Sequence, residues 1–445
     1  MKKLNNFSKY CLRSTLFFAV LLIVYMIVRR DFDTASKEEI IQFILYYTAP
    51  VLIFSIICTI ISFIQKPIQF ISLIYISAIM LGIYSTEFYL QFSAIDTDEK
   101  IKKAAEERNL IPDLRKKKQV VMELSKIKKN QAYPYLKIVN QFQEIMPLGL
   151  IPNKLTVYCN EVGRWFIFNS DKHGFNNPNN IWDKKKIEIV ALGDSFTHGA
   201  CIPDNKNYVN LIRENYSNIL NLGIGGNNPL SNLAALIEYA LPKKPRIILW
   251  FHFAGNDLAG MMGDKNHKIF NKYLYESEFS QNLISRSKEI ENKMLDFYSK
   301  NKKAIYEEDK FTVFQKFNLR HLIKLHYLRN GLGQTRNLDG QFDFKFFKEI
   351  MKKSKSLADQ IGSEIYFINI PTLQQAYIHK TDPNWRKTYK VVSELDIKWF
   401  DFSKEILNHQ DPSSLYANRE NGGHFSEVGS RLMADFVLKA INQSK

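Results

Sequence analysis

Apolar positions along the chain fall into two regimes. In roughly the first ninety residues they run almost unbroken. Tyr10–Val28 is interrupted only by Arg13 and small hydroxyl residues, Ile40–Ile64 by Gln42 and Pro50, and Ile68–Leu90 by Gln69 and Glu87 near its ends. Each run reaches the ~20 residues that a helix needs to cross a bilayer. Beyond Leu90 the apolar runs shorten to strand length. Ile187–Leu192, Ile219–Leu222, Ile247–Phe253 and Glu364–Ile370 read as buried strands, with a further short strand at Ile397–Phe402. Residues 346–360 and Glu427–Ile441 carry helical periodicity. Strands alternating with helices predict an α/β domain around a parallel sheet.

This pattern divides the chain. Residues 1–92 are expected to hold three transmembrane helices near 10–28, 40–64 and 68–90, and residues 93–132 a charged helical connector. Residues 133–445 are expected to form the catalytic domain, interrupted at 258–343. The interruption is dense in Lys, Tyr and Phe and reads as a helical cap over the active site. A cleaved signal peptide is disfavoured for the first run, because Arg29-Arg30-Asp31 follows it without a small-residue cleavage site. Lys2, Lys3, Lys9 and Arg13 precede or open the first helix with no acidic residue among them, which favours a cytoplasmic N-terminus. Three helices then place everything after Leu90 outside the cytoplasm. Arg29, Arg30, Lys37, Lys100, Lys102 and Lys103 argue the other way, but the first helix usually dominates.

Charge and cysteine content narrow the chemistry. Lys and Arg exceed Asp and Glu by 61 to 45, a net charge of +16. The excess is spread without interleaved aromatics, so nucleic-acid binding is not read from it. The run Arg115-Lys116-Lys117-Lys118 reads first as a solvated helix face. Cys11 and Cys58 lie in or beside membrane helices. Cys159 and Cys201 either pair, if their domain lies in an oxidising compartment, or remain buried thiols. No zinc spacing occurs, and no metal or cofactor is expected.

Four segments carry candidate chemistry. Gly193-Asp194-Ser195-Phe196-Thr197-His198-Gly199 follows the first strand, so Ser195 stands at a strand end beside a helix start. The strand at Ile219 runs into the glycine-rich loop Gly223-Ile224-Gly225-Gly226-Asn227, and Ile247–Phe253 runs into Gly255-Asn256-Asp257. Asn421-Gly422-Gly423-His424 precedes the last helix. In an open parallel sheet these ends converge on one crevice. Together they supply a nucleophile, a base and oxyanion donors. His198 reads as a solvated residue on the helix after Ser195.

At these residues the chain resembles the SGNH hydrolase superfamily, the GDSL-type esterases, lipases and O-acetyltransferases. The resemblance implies a flavodoxin-like three-layer parallel sheet. It implies Ser195 as nucleophile and His424 as base. The oxyanion hole would comprise the N–H groups of Ser195 and Gly226, by the Asn-x-x-x-x-Gly spacing from Asn221, and the Asn256 amide. The family's last block reads Asp-x-x-His; here Asn421 stands at the acid's position. A Ser195–His424 dyad follows, with Asn421 or a backbone carbonyl as orienter. Glu420, Asp411 and Asp401 are the alternative acids.

The expected function is a membrane-anchored serine ester hydrolase or O-acyltransferase, with acyl groups of envelope or exported polysaccharide as candidate substrates. The alternative is a catalytically weakened domain that binds glycan or serves assembly, which the amide at Asn421 keeps open.

Overall fold

A computed structural model describes residues 2–28, 41, 43–95, 97–127, 131–137, 142, 144–307, 317–331, 342–378, 382–419 and 422–443. The chain forms two compact units: residues 1–96 with 311–341, and residues 97–310 with 342–445.

The first unit is helical. Two of its helices are long and apolar enough to cross a membrane, over Lys9–Val28 and Lys66–Ser93. Their large apolar side chains, among them Phe17, Phe18, Leu21, Tyr25, Tyr75, Ile79 and Leu81, are exposed, as lipid-facing residues would be. The middle apolar run forms a shorter helix, Ala49–Ile61, preceded by a π-helical turn at Ile44–Thr48. Among the described residues two spans reach full length, and the third that was expected is not confirmed. The later part of the sequence interruption belongs to this unit. Glu87, fully buried in the long helix Lys66–Ile95, accepts the backbone N–H groups of Tyr327 (2.8 Å) and Leu328 (2.7 Å), satisfying the start of the helix His326–Gly331.

The second unit is built on a parallel sheet. Three short strands come first: β1 (Ala132–Pro134), β2 (Leu155–Val157) and β3 (Ile167–Asn169), with β1 parallel and β3 antiparallel to β2. Then follow β4 (Ile189–Leu192), β5 (Ile219–Asn221), β6 (Ile247–Phe253), β7 (Glu364–Ile370) and β8 (Lys398–Asp401). These five pair in the order β5-β4-β6-β7-β8, all parallel. Numbered from the first strand, that is the flavodoxin-like order 2-1-3-4-5, with its topological switch point between β4 and β6. A hairpin, β9 (Tyr416–Asn418) and β10 (Gly422–Phe425), precedes the final helix Glu427–Gln443.

Alternation along each strand makes the three layers. Val190, Leu192, Ile248, Trp250, Ile365 and Phe367 face one core, shared with Leu233, Leu236, Phe347, Ile350 and Val392. Ile189, Ala191, Ile247, Leu249, Phe251, Tyr366 and Ile368 face the other, shared with Ile212, Ile406, Met433 and Val437. Because strand side chains alternate with period two, a one-residue slip would exchange these two sets.

The charged helices Thr97–Glu106 and Lys117–Ile127 bury Ala104, Ala105, Val120 and Val121. The interruption at 258–343 is shared between the units. Its earlier helices, Lys268–Tyr275 and Ser287–Glu307, place Phe270, Tyr273, Met294 and Tyr298 in the first core. Tyr273 Oη donates to buried Glu238 at 2.6 Å, so the tyrosine serves packing here.

Candidate active site

Three loops leave the C-terminal ends of β4, β5 and β6, where an open parallel sheet of this topology binds its ligands. The first carries Ser195, which begins the short helix Ser195–His198. Asp194 caps that helix: its Oδ1 accepts the Phe196 N–H at 3.0 Å, and its Oδ2 accepts the Ser195 hydroxyl at 3.3 Å. Burial pushes the Asp194 carboxyl up to about 7, reinforced by the nearby Asp257 and opposed by the Phe196 N–H, His424 and Ser195.

The second loop is tied to this helix by Asn221. Its side-chain amide donates to Thr197 O at 2.8 Å, and its oxygen accepts the Gly223 N–H at 2.9 Å. Gly226, at the tip, is exposed. The third loop carries Asn256, whose exposed side chain makes no capping bond to the helix Asp257–Asp264 that follows. The neighbouring Asp257 is buried and accepts the Phe253 N–H at 3.0 Å; burial drives its carboxyl well above the usual range.

His424 comes from β10, with its ring 5.1 Å from that of Phe196, the residue after Ser195. Its partner is an acid that sequence reasoning missed. Glu161 Oε1 lies 2.7 Å from His424 Nδ1, and Glu161 Oε2 accepts the His424 backbone N–H at 3.0 Å. One carboxylate thus holds both the ring and the backbone of His424. Gly423, at φ +81°, lets the strand pass this closely: a Cβ there would stand 3.0 Å from Glu161 Oε2. Burial disfavours charge on His424, but the Glu161 carboxylate outweighs it and the imidazole is raised above its ordinary value. Burial likewise works against the Glu161 charge, yet His424 wins and the carboxyl is lowered.

Asn421 and Glu420 lie outside the described residues. Nδ1, the atom that an orienter at Asn421 would need, is taken by Glu161. Asp401 is bound to Asn369, Trp385 and Ser403, and Asp411 to Ser413, Ser414 and Arg419. Neither reaches His424.

The clue to Glu161 was a cysteine. Cys159, two residues earlier, forms a disulfide with Cys201, which follows the helix Ser195–His198. That bond ties the segment bearing Glu161 to the segment bearing Ser195. Glu161, Cys201 and His424 offer polar atoms within 4.8 Å of one another, the one such group among the described residues, but the Cys201 sulfur is held in the disulfide. What remains of this donor set is a carboxylate–imidazole pair.

His198 is not solvated as expected. It is fully buried, packed edge-on against Tyr158 and Phe168, with Nδ1 3.1 Å from Gly223 O. Burial lowers it to about 4, so it stays neutral near pH 7 and serves to seat the glycine loop on the helix.

No protein-family profile matches the chain, and no curated protein matches it. Solved structures resemble it at low identity. A lipase/acylhydrolase from Enterococcus faecalis is 14% identical, with 58% of this chain and 96% of that chain covered and a TM-score of 0.32. A psychrotrophic esterase from Pseudoalteromonas is 11% identical over 58% of this chain and 98% of that one, at 0.32. A member of the lipolytic G-D-S-L family from Veillonella parvula is 14% identical over 57% and 96%, at 0.29.

Proposed function

We propose, from the SGNH-type constellation of Ser195, Gly226, Asn256 and His424, that this chain is a serine enzyme acting on ester bonds, either a hydrolase or an O-acyltransferase. The observation that supports this reading most is the Glu161 carboxylate at 2.7 Å from His424 Nδ1. It leaves Nε2 as the proton-accepting nitrogen and offers a negative charge to the imidazolium that forms on attack.

The chemistry runs through this chain's own groups. Ser195 Oγ, turned from Asp194 toward His424, loses its proton to the imidazole as it attacks the acyl carbon. The carbonyl oxygen becomes an oxyanion facing the N–H groups of Ser195 and Gly226 and the Asn256 amide. Donors already in place stabilise this charge without reorganising. His424 returns the proton to the leaving alcohol, leaving an acyl-Ser195. Water or a sugar hydroxyl, activated by the same imidazole, then releases the acyl group.

The weakened, glycan-binding or assembly reading rested on an amide in place of the acid. A carboxylate at the imidazole favours the catalytic reading. Two apolar helices long enough to cross a bilayer support a membrane anchor. A disulfide beside the site favours an oxidising compartment, and with it the external orientation. An external, anchored ester enzyme suits acyl groups on envelope or exported polysaccharide.

The test is acetyl release by the purified full-length protein from a small aryl acetate, with and without oligosaccharide acceptors. A hydrolase releases acetate at a rate independent of acceptor. A transferase makes acetylated oligosaccharide. Neither product, with Ser195 unreactive, would reject the enzyme reading.

A further inference from the structure

The peptide between Gly225 and Gly226 has a weakness as an oxyanion donor. A glycine on each side leaves both flanking dihedrals free, so local sterics do little to stop the plane from turning over. A turned plane would present a carbonyl oxygen to the oxyanion in place of the N–H. The tip is a turn in which the Asn227 N–H bonds Ile224 O at 2.9 Å and Gly226 takes φ +77°, the left-handed position of a type II turn. The Gly226 N–H itself has no hydrogen-bond partner among the described residues.

Side chains from far upstream hold this tip. Tyr135, just after β1, donates its hydroxyl to Gly225 O at 3.2 Å. Lys137 donates to Gly226 O at 2.6 Å and to Asn227 Oδ1 at 3.0 Å. The Tyr135 ring stacks on Tyr158, with centroids 3.7 Å apart and planes 12° from parallel. That stack fits only because position 225 is glycine: a Cβ there would collide with the Tyr158 hydroxyl.

We propose that Tyr135 and Lys137 are positioning residues that lock the Gly225–Gly226 peptide with its N–H aimed at the oxyanion. In a planar trans peptide the C=O and N–H point in opposite directions. Fixing Gly225 O with the Tyr135 hydroxyl therefore fixes the direction of the Gly226 N–H. Lys137 pins the next carbonyl, so the tip cannot rotate as a unit. Burial lowers the Lys137 ammonium to about 8, while Asp264, Asp194 and Asp257 favour its charge, so it remains a cation at pH 7. The β1 segment thereby acquires a part in catalysis without touching substrate. The proposal rests on the reading of Ser195 as nucleophile and Gly226 as donor.

The test compares Tyr135→Phe, Lys137→Met and Lys137→Arg with wild type, in the full chain, on a small aryl acetate. Tyr135→Phe and Lys137→Met are expected to lower kcat at least about tenfold, within the hundredfold to thousandfold that a lost oxyanion donor costs. KM should stay within about twofold, because the peptide acts on the transition state. Lys137→Arg, which keeps the donors, should recover most of kcat. Unchanged kcat in both Tyr135→Phe and Lys137→Met would overturn the proposal. So would a loss that appears in KM alone, or a Lys137→Arg variant as slow as Lys137→Met. Failure of the underlying reading has a different signature: Ser195→Ala would then keep wild-type turnover.

Discussion

Glu161 and His424 lie 263 residues apart in sequence, yet Glu161 Oε1 stands 2.7 Å from His424 Nδ1 and Oε2 takes the His424 backbone N–H at 3.0 Å. The sequence offers no Asp three residues before His424; the pair is instead long-range. Glu161 comes from the loop between β2 and β3, and His424 from the hairpin before the final helix.

Replacement of the acid should be costly where replacement of the sequence candidates is not. Glu161→Gln is expected to lower ester turnover by up to about ten-thousandfold, the loss that amide replacement of a triad carboxylate produces. Asp401→Asn and Asp411→Asn should stay within a few-fold of wild type. Steady-state kinetics, with circular dichroism to establish the fold, decide the matter. A large loss in Asp401→Asn or Asp411→Asn with little in Glu161→Gln would put the acid elsewhere.

The pH dependence has a definite sign. The base must be neutral, so turnover should rise with pH through the His424 value, which Glu161 holds above the ordinary 6.5. In Glu161→Gln the midpoint should move to lower pH. Stability follows the same pair. His424, raised on folding, contributes fully below about 6.5 and loses its contribution as pH rises through its folded value. Glu161, lowered on folding, contributes fully above about 4.5 and loses it as pH falls through its folded value. The destabilisation in Glu161→Gln should therefore peak between these limits. A kcat/KM midpoint that does not move in Glu161→Gln would dissociate the carboxylate from the base.

The disulfide should matter for both stability and activity. Cys159 and Cys201 are 42 residues apart; for a loop of that length the chain-entropy account gives about 4 kcal/mol. Cys159→Ser should lower the melting temperature. It should also lower kcat at temperatures where the fold persists, since the loop bearing Glu161 loses its tether to the segment bearing Ser195. Full activity after reduction, with the free thiols counted, would show that Glu161 needs no such tether.

Loss of Asn256 tests the oxyanion donor. Asn256→Ala is expected to reduce kcat by about a hundredfold to a thousandfold while Ser195 stays reactive toward an acylating probe. Equal kcat in wild type and variant would exclude the Asn256 amide from the oxyanion hole.

Orientation is open to a fusion test. A reporter active only outside the cytoplasm, attached after Lys445, should be active. Cytoplasmic activity at that end would place the ester chemistry inside the cell.

The sheet was legible because its strands are buried on both faces. Runs such as Ile247–Phe253 and Glu364–Ile370 must be continuous apolar segments, and their observed bounds match those read from the pattern. The placement of Ser195, Gly226 and Asn256 in the loops after β4, β5 and β6 was legible because each follows such a strand by a few residues. Glu161 was not: it sits in Asn160-Glu161-Val162-Gly163, a stretch with no periodicity, and its one clue in sequence, a Cys159–Cys201 pairing, was left open there. His198 was misread because a polar residue on a short helix looks solvated until the glycine loop is folded over it. The second apolar run was read as a full span by composition; its described residues form the π-helical turn Ile44–Thr48 and the helix Ala49–Ile61.

The central claim is that Ser195 is an activated nucleophile, and covalent labelling with a fluorophosphonate reads this directly. Intact-mass analysis of the wild-type protein should show one equivalent added, peptide mapping should place it on Ser195, and Glu161→Gln should label far more slowly. An unlabelled wild-type protein, or a Ser195→Ala variant that labels as fast as wild type, would contradict the account.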